Sequence, residues 1–183
     1  IDARFRRIGS NGIRYRIGGL PVDIMPFGGV EDPDGVSRPA ARGENLVVFG
    51  FRDVHERAIR LTLPNGMTVR LPQPAGYTAL KMRSWIDRSA YGEYRDANDL
   101  ALAAFWYQES GEIRDRLFDT DAGFELLTEV GIDVDLAATR LLAFDAADQL
   151  APRDRADLSH RWVEQSLDLL ARYFTLPATA PSA

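Results

Sequence analysis

The strongest constraint in this chain is a change of hydrophobic period at Pro72-Gln73-Pro74. Ahead of it, apolar residues sit in short runs separated by glycine and Asn-Gly pairs, the pattern of strands and tight turns. Beyond it they recur near every 3.6 residues, the pattern of amphipathic helices. Residues 75–89 set Tyr77, Leu80, Trp85 and Ile86 at helical spacing, and residues 94–108 do the same with Leu100, Leu102, Ala103, Trp106 and Tyr107. Weaker helical patterns cover 112–129 and 133–150, the latter with Asp133 or Asp135 as its N-cap, and a last one runs from Asp154 to Phe174. Strands first and helices second predict an α+β fold. The expected organisation is a β-rich part over residues 1–73, a helical part over 74–175 and a flexible tail over 176–183.

Two hairpins are expected in the β-rich part. Residues 3–8 and 13–17 flank Ser10-Asn11-Gly12, and the runs from His55 to Leu63 and from Met67 to Leu71 flank Pro64-Asn65-Gly66. Glu31 to Glu44, rich in Asp, Pro, Gly and Arg, reads as a loop, and Leu46 to Phe51 as a short apolar strand. Between Gly18-Gly19 and Gly28-Gly29 the segment Leu20-Pro21-Val22-Asp23-Ile24-Met25-Pro26-Phe27 reads as a buried strand carrying one acid. An ionised carboxylate is costly inside an apolar strand. Asp23 should therefore face outward, towards a cation, a hydrogen-bond donor or a site.

Composition narrows the function classes. The 183 residues include no cysteine, which excludes disulfides and thiolate metal sites and fits a reducing compartment. No apolar run reaches the length of a membrane span and no signal peptide is visible, so the expectation is a cytoplasmic protein with no membrane partner. A net charge of −5 argues against indiscriminate nucleic-acid binding. The charge is uneven: residues 1–20 carry five arginines against Asp2, whereas residues 93–135 hold twelve acids against Arg95, Arg114 and Arg116. The basic end could meet an anionic ligand such as RNA, and the acidic helices face solvent or a partner. His55 and His160 have no metal-ligand spacing, and neither glycine pair has the helix and lysine of a phosphate loop. The helical aromatics read as inter-helix core rather than as a base-stacking platform.

Lys81 is the single lysine among 22 basic residues. It is either a chance survivor on an exposed helix face or a compact ammonium kept for a phosphate, where a planar guanidinium would sit differently. Asp96 and Asp99, three apart at the start of the next helical pattern, share a face. Acids there ordinarily serve the helix dipole and cap. One could cap while the other reaches back to Lys81 and fixes it in the charged form.

Three segments together are similar to a known family: Leu20-Pro21-Val22-Asp23-Ile24-Met25-Pro26-Phe27-Gly28-Gly29, Leu80-Lys81-Met82-Arg83-Ser84-Trp85-Ile86-Asp87-Arg88 and Arg95-Asp96-Ala97-Asn98-Asp99-Leu100-Ala101. Their order and spacing resemble the nucleotidyltransferase-like proteins of the abortive-infection AbiE toxin family, within the DNA polymerase β superfamily. Val48-Phe49-Gly50-Phe51-Arg52 and the Leu63 to Met67 hairpin share the likeness, which covers roughly residues 12–107. The resemblance implies a polymerase-β-like mixed sheet followed by a helical bundle. It implies transfer of NMP from Mg2+–NTP to an acceptor hydroxyl, plausibly at an RNA or tRNA 3′ end, by a toxin held by a cognate antitoxin. Asp23 matches the family's third metal carboxylate, Lys81 the helical lysine on the NTP phosphates, and Asp96 and Asp99 the downstream acids of the nucleotide pocket. The family's first two metal acids form an Asp-x-Asp pair after a Gly-Ser turn, and nothing before Asp23 supplies one. Gly9-Ser10 is not that turn, because Met25 stands where the second acid would be and Asn11-Gly12 makes a hairpin where the superfamily has a helix. With Ile1 as the first residue, the expectation is a chain lacking the family's amino-terminal portion. Two alternatives stay open: a catalytically inactive remnant that binds a partner, and a transferase acting on a small antibiotic-like molecule.

Overall fold

The computed structural model describes residues 5–9, 12–32, 35–38 and 45–176. The chain falls into two compact units, Ile1–Arg52 and Asp53–Ala183. Small antiparallel sheets come first and helices follow, so the fold is α+β.

In the first unit β1 (Phe5–Arg7), β2 (Arg14–Ile17) and β3 (Leu20–Asp23) form an antiparallel sheet in that order. Gly18 and Gly19 join β2 to β3 with φ of 56° and 90°, the left-handed pair that a tight two-residue hairpin turn requires. That turn sets the register Ile17↔Leu20, Arg16↔Pro21, Tyr15↔Val22 and Arg14↔Asp23. Pro21 is tolerated because β3 is an edge strand of this sheet. β4 (Glu31–Asp32), β5 (Val36–Ser37) and β6 (Leu46–Val47) make a second antiparallel sheet. The described part of the loop expected over 31–44 thus contains two short strands. Residues 33–34 and 39–44, the turn residues Ser10 and Asn11, and 177–183 of the expected tail lie outside the described residues. Ile13, Leu46 and Val48 form the small core, with Met25, Phe27 and Phe51 packed on it.

Three expectations for the β-rich part are corrected. The segment carrying Asp23 is not a buried strand: Leu20–Asp23 is exposed throughout, and Ile24 is 41% exposed. Its apolar anchors are Met25 and Phe27, beyond the strand's end, and no helix in the described part of residues 5–50 covers β3. Leu46 to Phe51 is not one strand, because Gly50 takes φ 66° and Phe51 opens the helix α1 (Phe51–Glu56). The described strands form three separate antiparallel sheets rather than one mixed sheet. Every strand pair in them is antiparallel, and a parallel pair needs a crossover of a dozen residues or more.

The second unit continues with the hairpin of β7 (Ile59–Thr62) and β8 (Thr68–Leu71), Asn65-Gly66 at its tip. Then come α2 (Pro74–Arg88), a single 3-10 turn (Ser89–Tyr91) and α3 (Arg95–Gln108). α4 (Gly111–Asp119), α5 (Asp121–Glu129), α6 (Val134–Asp148), α7 (Pro152–Trp162) and α8 (Leu167–Tyr173) complete it. Alanines at 75, 103, 104, 137 and 138 share one core with Tyr107, Leu117, Leu127 and Leu142, and their small size lets α2, α3 and α6 approach closely. Asp133 caps α6, accepting from the Leu136 N–H at 2.9 Å. The pattern over 112–129 is two helices because Thr120 is extended and its hydroxyl caps α5. Gly123 lets α5 fold back on α4: a Cβ there would lie 2.1 Å from the Arg116 carbonyl oxygen. The pattern after Asp154 likewise breaks, and Ser166 caps α8 through the Leu169 N–H. No helix among the described residues is long and apolar enough to cross a membrane.

Candidate functional site

Lys81 and Arg88, seven residues apart, lie on one side of α2, and α3 returns so that its first turns face them. Lys81 Nζ lies 3.1 Å from Asp96 Oδ1 and 2.5 Å from Asp99 Oδ2. Arg88 Nη1 lies 3.3 Å from Asp96 Oδ2, and the Lys81 ammonium also sits 5.5 Å from the centre of the Tyr77 ring. Asp96 is fully buried, whereas the side chains of Lys81 and Asp99 retain 22% and 34% exposure. The positive end of the α3 dipole favours Asp96, which lies in the first turn. Neither caps the helix as expected: the N-cap is Tyr94, and no side chain bonds there.

Burial pushes the Lys81 ammonium down, but its hydrogen bonds to Asp99 and Asp96 outweigh burial, and its pKa ends above the ordinary lysine value. Lys81 is therefore charged at neutral pH. Burial, together with the two carboxylates, pushes the Tyr77 phenol up against the opposing pull of Lys81. Two of the three ammonium N–H groups go to carboxylates and the Tyr77 phenol also engages the ammonium, which together fix it. Of the sequence-predicted residues, the structure brings Lys81, Asp96 and Asp99 together.

Asp23 belongs to the first unit. It ends β3 directly opposite Arg14, whose Nε and Nη2 donate to its two carboxylate oxygens at 2.7 and 2.8 Å. The acid does face outward, and the cation it meets is Arg14, with both side chains about half exposed. Mg2+ takes six oxygens at short distance, with carboxylates supplying its charge balance. Asp23 offers one carboxylate, and a guanidinium occupies both of its oxygens. The residues as folded do not fit Mg2+, and no three acidic or histidine side chains gather as a metal group among the described residues. His55 on α1 and His160 on α7 are exposed and separate.

A second cluster gave no signal in the sequence. The Tyr107 hydroxyl donates to Asp145 Oδ2, and Arg116 donates to both Asp145 oxygens at 2.7 and 3.0 Å, joining α3, α4 and α6. Burial raises Asp145, but Arg116 and Tyr107 outweigh it and hold the carboxyl below its ordinary range. The Tyr107 phenol is pushed well up, by burial first and then by Asp145. The three residues are 9 and 29 positions apart, so no local pattern could have joined them. Arg88 and Arg14 were readable in principle: Arg88 is two helical turns from Lys81, and a two-residue turn at Gly18-Gly19 places position 14 opposite 23.

Comparisons of the chain with protein-family models, with curated proteins and with solved structures found no match.

Proposed function

We propose that this chain is a nucleotidyltransferase-like protein of the AbiE toxin type, moving NMP from an NTP to an acceptor hydroxyl. The observation that carries the reading is the Lys81 ammonium, held charged between Asp96 and Asp99. In this reading Lys81 meets the triphosphate and the two acids hold it in place. Asp23, on the exposed edge strand, takes the acceptor's proton once Arg14 gives way. The acceptor oxygen bonds to the α-phosphorus and pyrophosphate leaves. In this reading the β2–β3 hairpin carries the family's third carboxylate, Asp23. The proposed setting is cytoplasmic, with RNA or tRNA as acceptor and an antitoxin as partner. Mg2+ activation needs carboxylates beyond Asp23, and no step is assigned to the ion here.

The test is labelling of total RNA by the protein isolated from its source cells, using α-labelled and γ-labelled NTPs side by side. Label entering RNA from the α position supports the reading. Label from the γ position only, or from neither, overturns it.

One observation favours a second reading, a non-catalytic binding module. Both candidate acidic centres are already satisfied by protein cations: Asp23 by Arg14, and Asp96 by Lys81 and Arg88. Absence of transfer from any labelled NTP, with retention of a bound partner through purification, selects that reading.

A further inference from the structure

The helical unit contains a cleft of about 450 Å³, where the starts of α2 and α4 meet the ends of α3 and α6. The Lys81 cluster does not line it. The volume lies within the range of small-molecule sites, about 300–1,000 Å³. One wall is Trp106, which is 49% exposed although its neighbour Tyr107 is buried in the core. The lining sets Arg116 alone against Glu112, Asp145 and Asp148.

The commitments of these groups decide what the cleft can take. Arg116 is spent on Asp145, which it holds through two nitrogens. Asp148 is paired with Arg155 at 2.9 Å. Glu112 has no ion-pair partner among the described residues, and Gln149 Oε1, buried beside the cleft, accepts from no donor. The cleft therefore has acceptors to spare and no uncommitted cation. An aromatic face beside an unpaired carboxylate recognises ammonium groups through the ring quadrupole and charge-assisted hydrogen bonds. The surrounding excess of acids over residues 93–135 works in the same direction, raising the local concentration of cations and repelling anions.

We propose that this cleft binds a small organic polyamine, with one ammonium group taken by the Trp106 ring and the Glu112 carboxylate. The proposal is independent of the Lys81 site and of any transfer reaction. The test titrates the full chain with spermidine, followed by tryptophan fluorescence and by calorimetry. Saturable one-to-one binding is expected, with Glu112→Gln and Trp106→Leu each weakening it about tenfold. Glu125→Gln, which removes the same charge from an exposed position on α5 outside the cleft lining, leaves the affinity unchanged. No saturable binding would overturn the proposal. Equal weakening by Glu112→Gln and Glu125→Gln would also overturn it, since the attraction would then be general charge.

Discussion

Asp96→Asn is the perturbation that bears most directly on how the Lys81 site is built. The carboxylate has no exposure, and its two oxygens take Lys81 at 3.1 Å and Arg88 at 3.3 Å. Neutralising one partner of a buried ion pair costs about 3–5 kcal/mol when the remaining charge stays dry. Here the Lys81 and Arg88 side chains keep 22% and 41% exposure, which lets water relieve part of that cost. The lower end, about 3 kcal/mol, is therefore expected. Asp99→Asn removes a shorter contact, 2.5 Å, but from a side chain 34% exposed. An exposed pair contributes roughly 0.2–1 kcal/mol, so burial and not distance should rank the two. The assay is urea unfolding of wild type and both variants, followed by helical circular dichroism, with Lys81→Met added to close a double-mutant cycle. Asp96→Asn should cost at least twice what Asp99→Asn costs, and should couple to Lys81→Met by more than about 0.5 kcal/mol. Equal costs, or no coupling, would refute the argument that Asp96 is the buried counter-ion that positions Lys81.

Other consequences concern the rest of the helical unit. Gly123→Ala forces a Cβ against the Arg116 carbonyl, so it should destabilise by about 1–3 kcal/mol; thermal melting indistinguishable from wild type would contradict the close approach of α5 to α4. The pH dependence has two limbs. Asp145 is held below its ordinary value near 3.8, so its contribution is present above that value and is lost as pH falls through the lowered folded pKa. Lys81 is raised above its ordinary value near 10.5, so its contribution is complete below that value and is lost as pH climbs through the raised folded pKa. Stability measured against pH should show Asp145→Asn flattening the acid limb and Lys81→Met flattening the alkaline limb. An acid limb unchanged by Asp145→Asn, or an alkaline limb unchanged by Lys81→Met, would show that the assigned partners are wrong.

Local signals carried much of the fold. The period change after Pro74 located α2 and α3 because each buries a continuous apolar stripe, and Asp133 announced α6 because its carboxylate caps the free N–H groups. The burial of β3 was misread because Val22 and Ile24 are apolar, yet the segment's anchors in the core are Met25 and Phe27. Strand-like composition does not say which face is covered. That one of Asp96 and Asp99 reaches Lys81 was legible because the contact joins two consecutive helices across a short turn; that both do was not, since one was expected to cap α3. Asp145 with Arg116 and Tyr107 was not legible, because that cluster depends on how α6 packs against α3 and α4, and its members are 9 and 29 positions apart in the chain.

The central claim, that Asp23 and Lys81 serve nucleotide transfer, is tested most directly by Asp23→Asn in the protein isolated from its source cells. Asp23 and Arg14 are both well exposed, where an ion pair adds little to stability, so the variant should fold and melt as wild type does. Label from α-labelled NTP should then fail to enter RNA in the folded variant while wild type labels it. Undiminished labelling by Asp23→Asn would contradict the account and leave the Arg14–Asp23 pair a cross-strand ion pair alone.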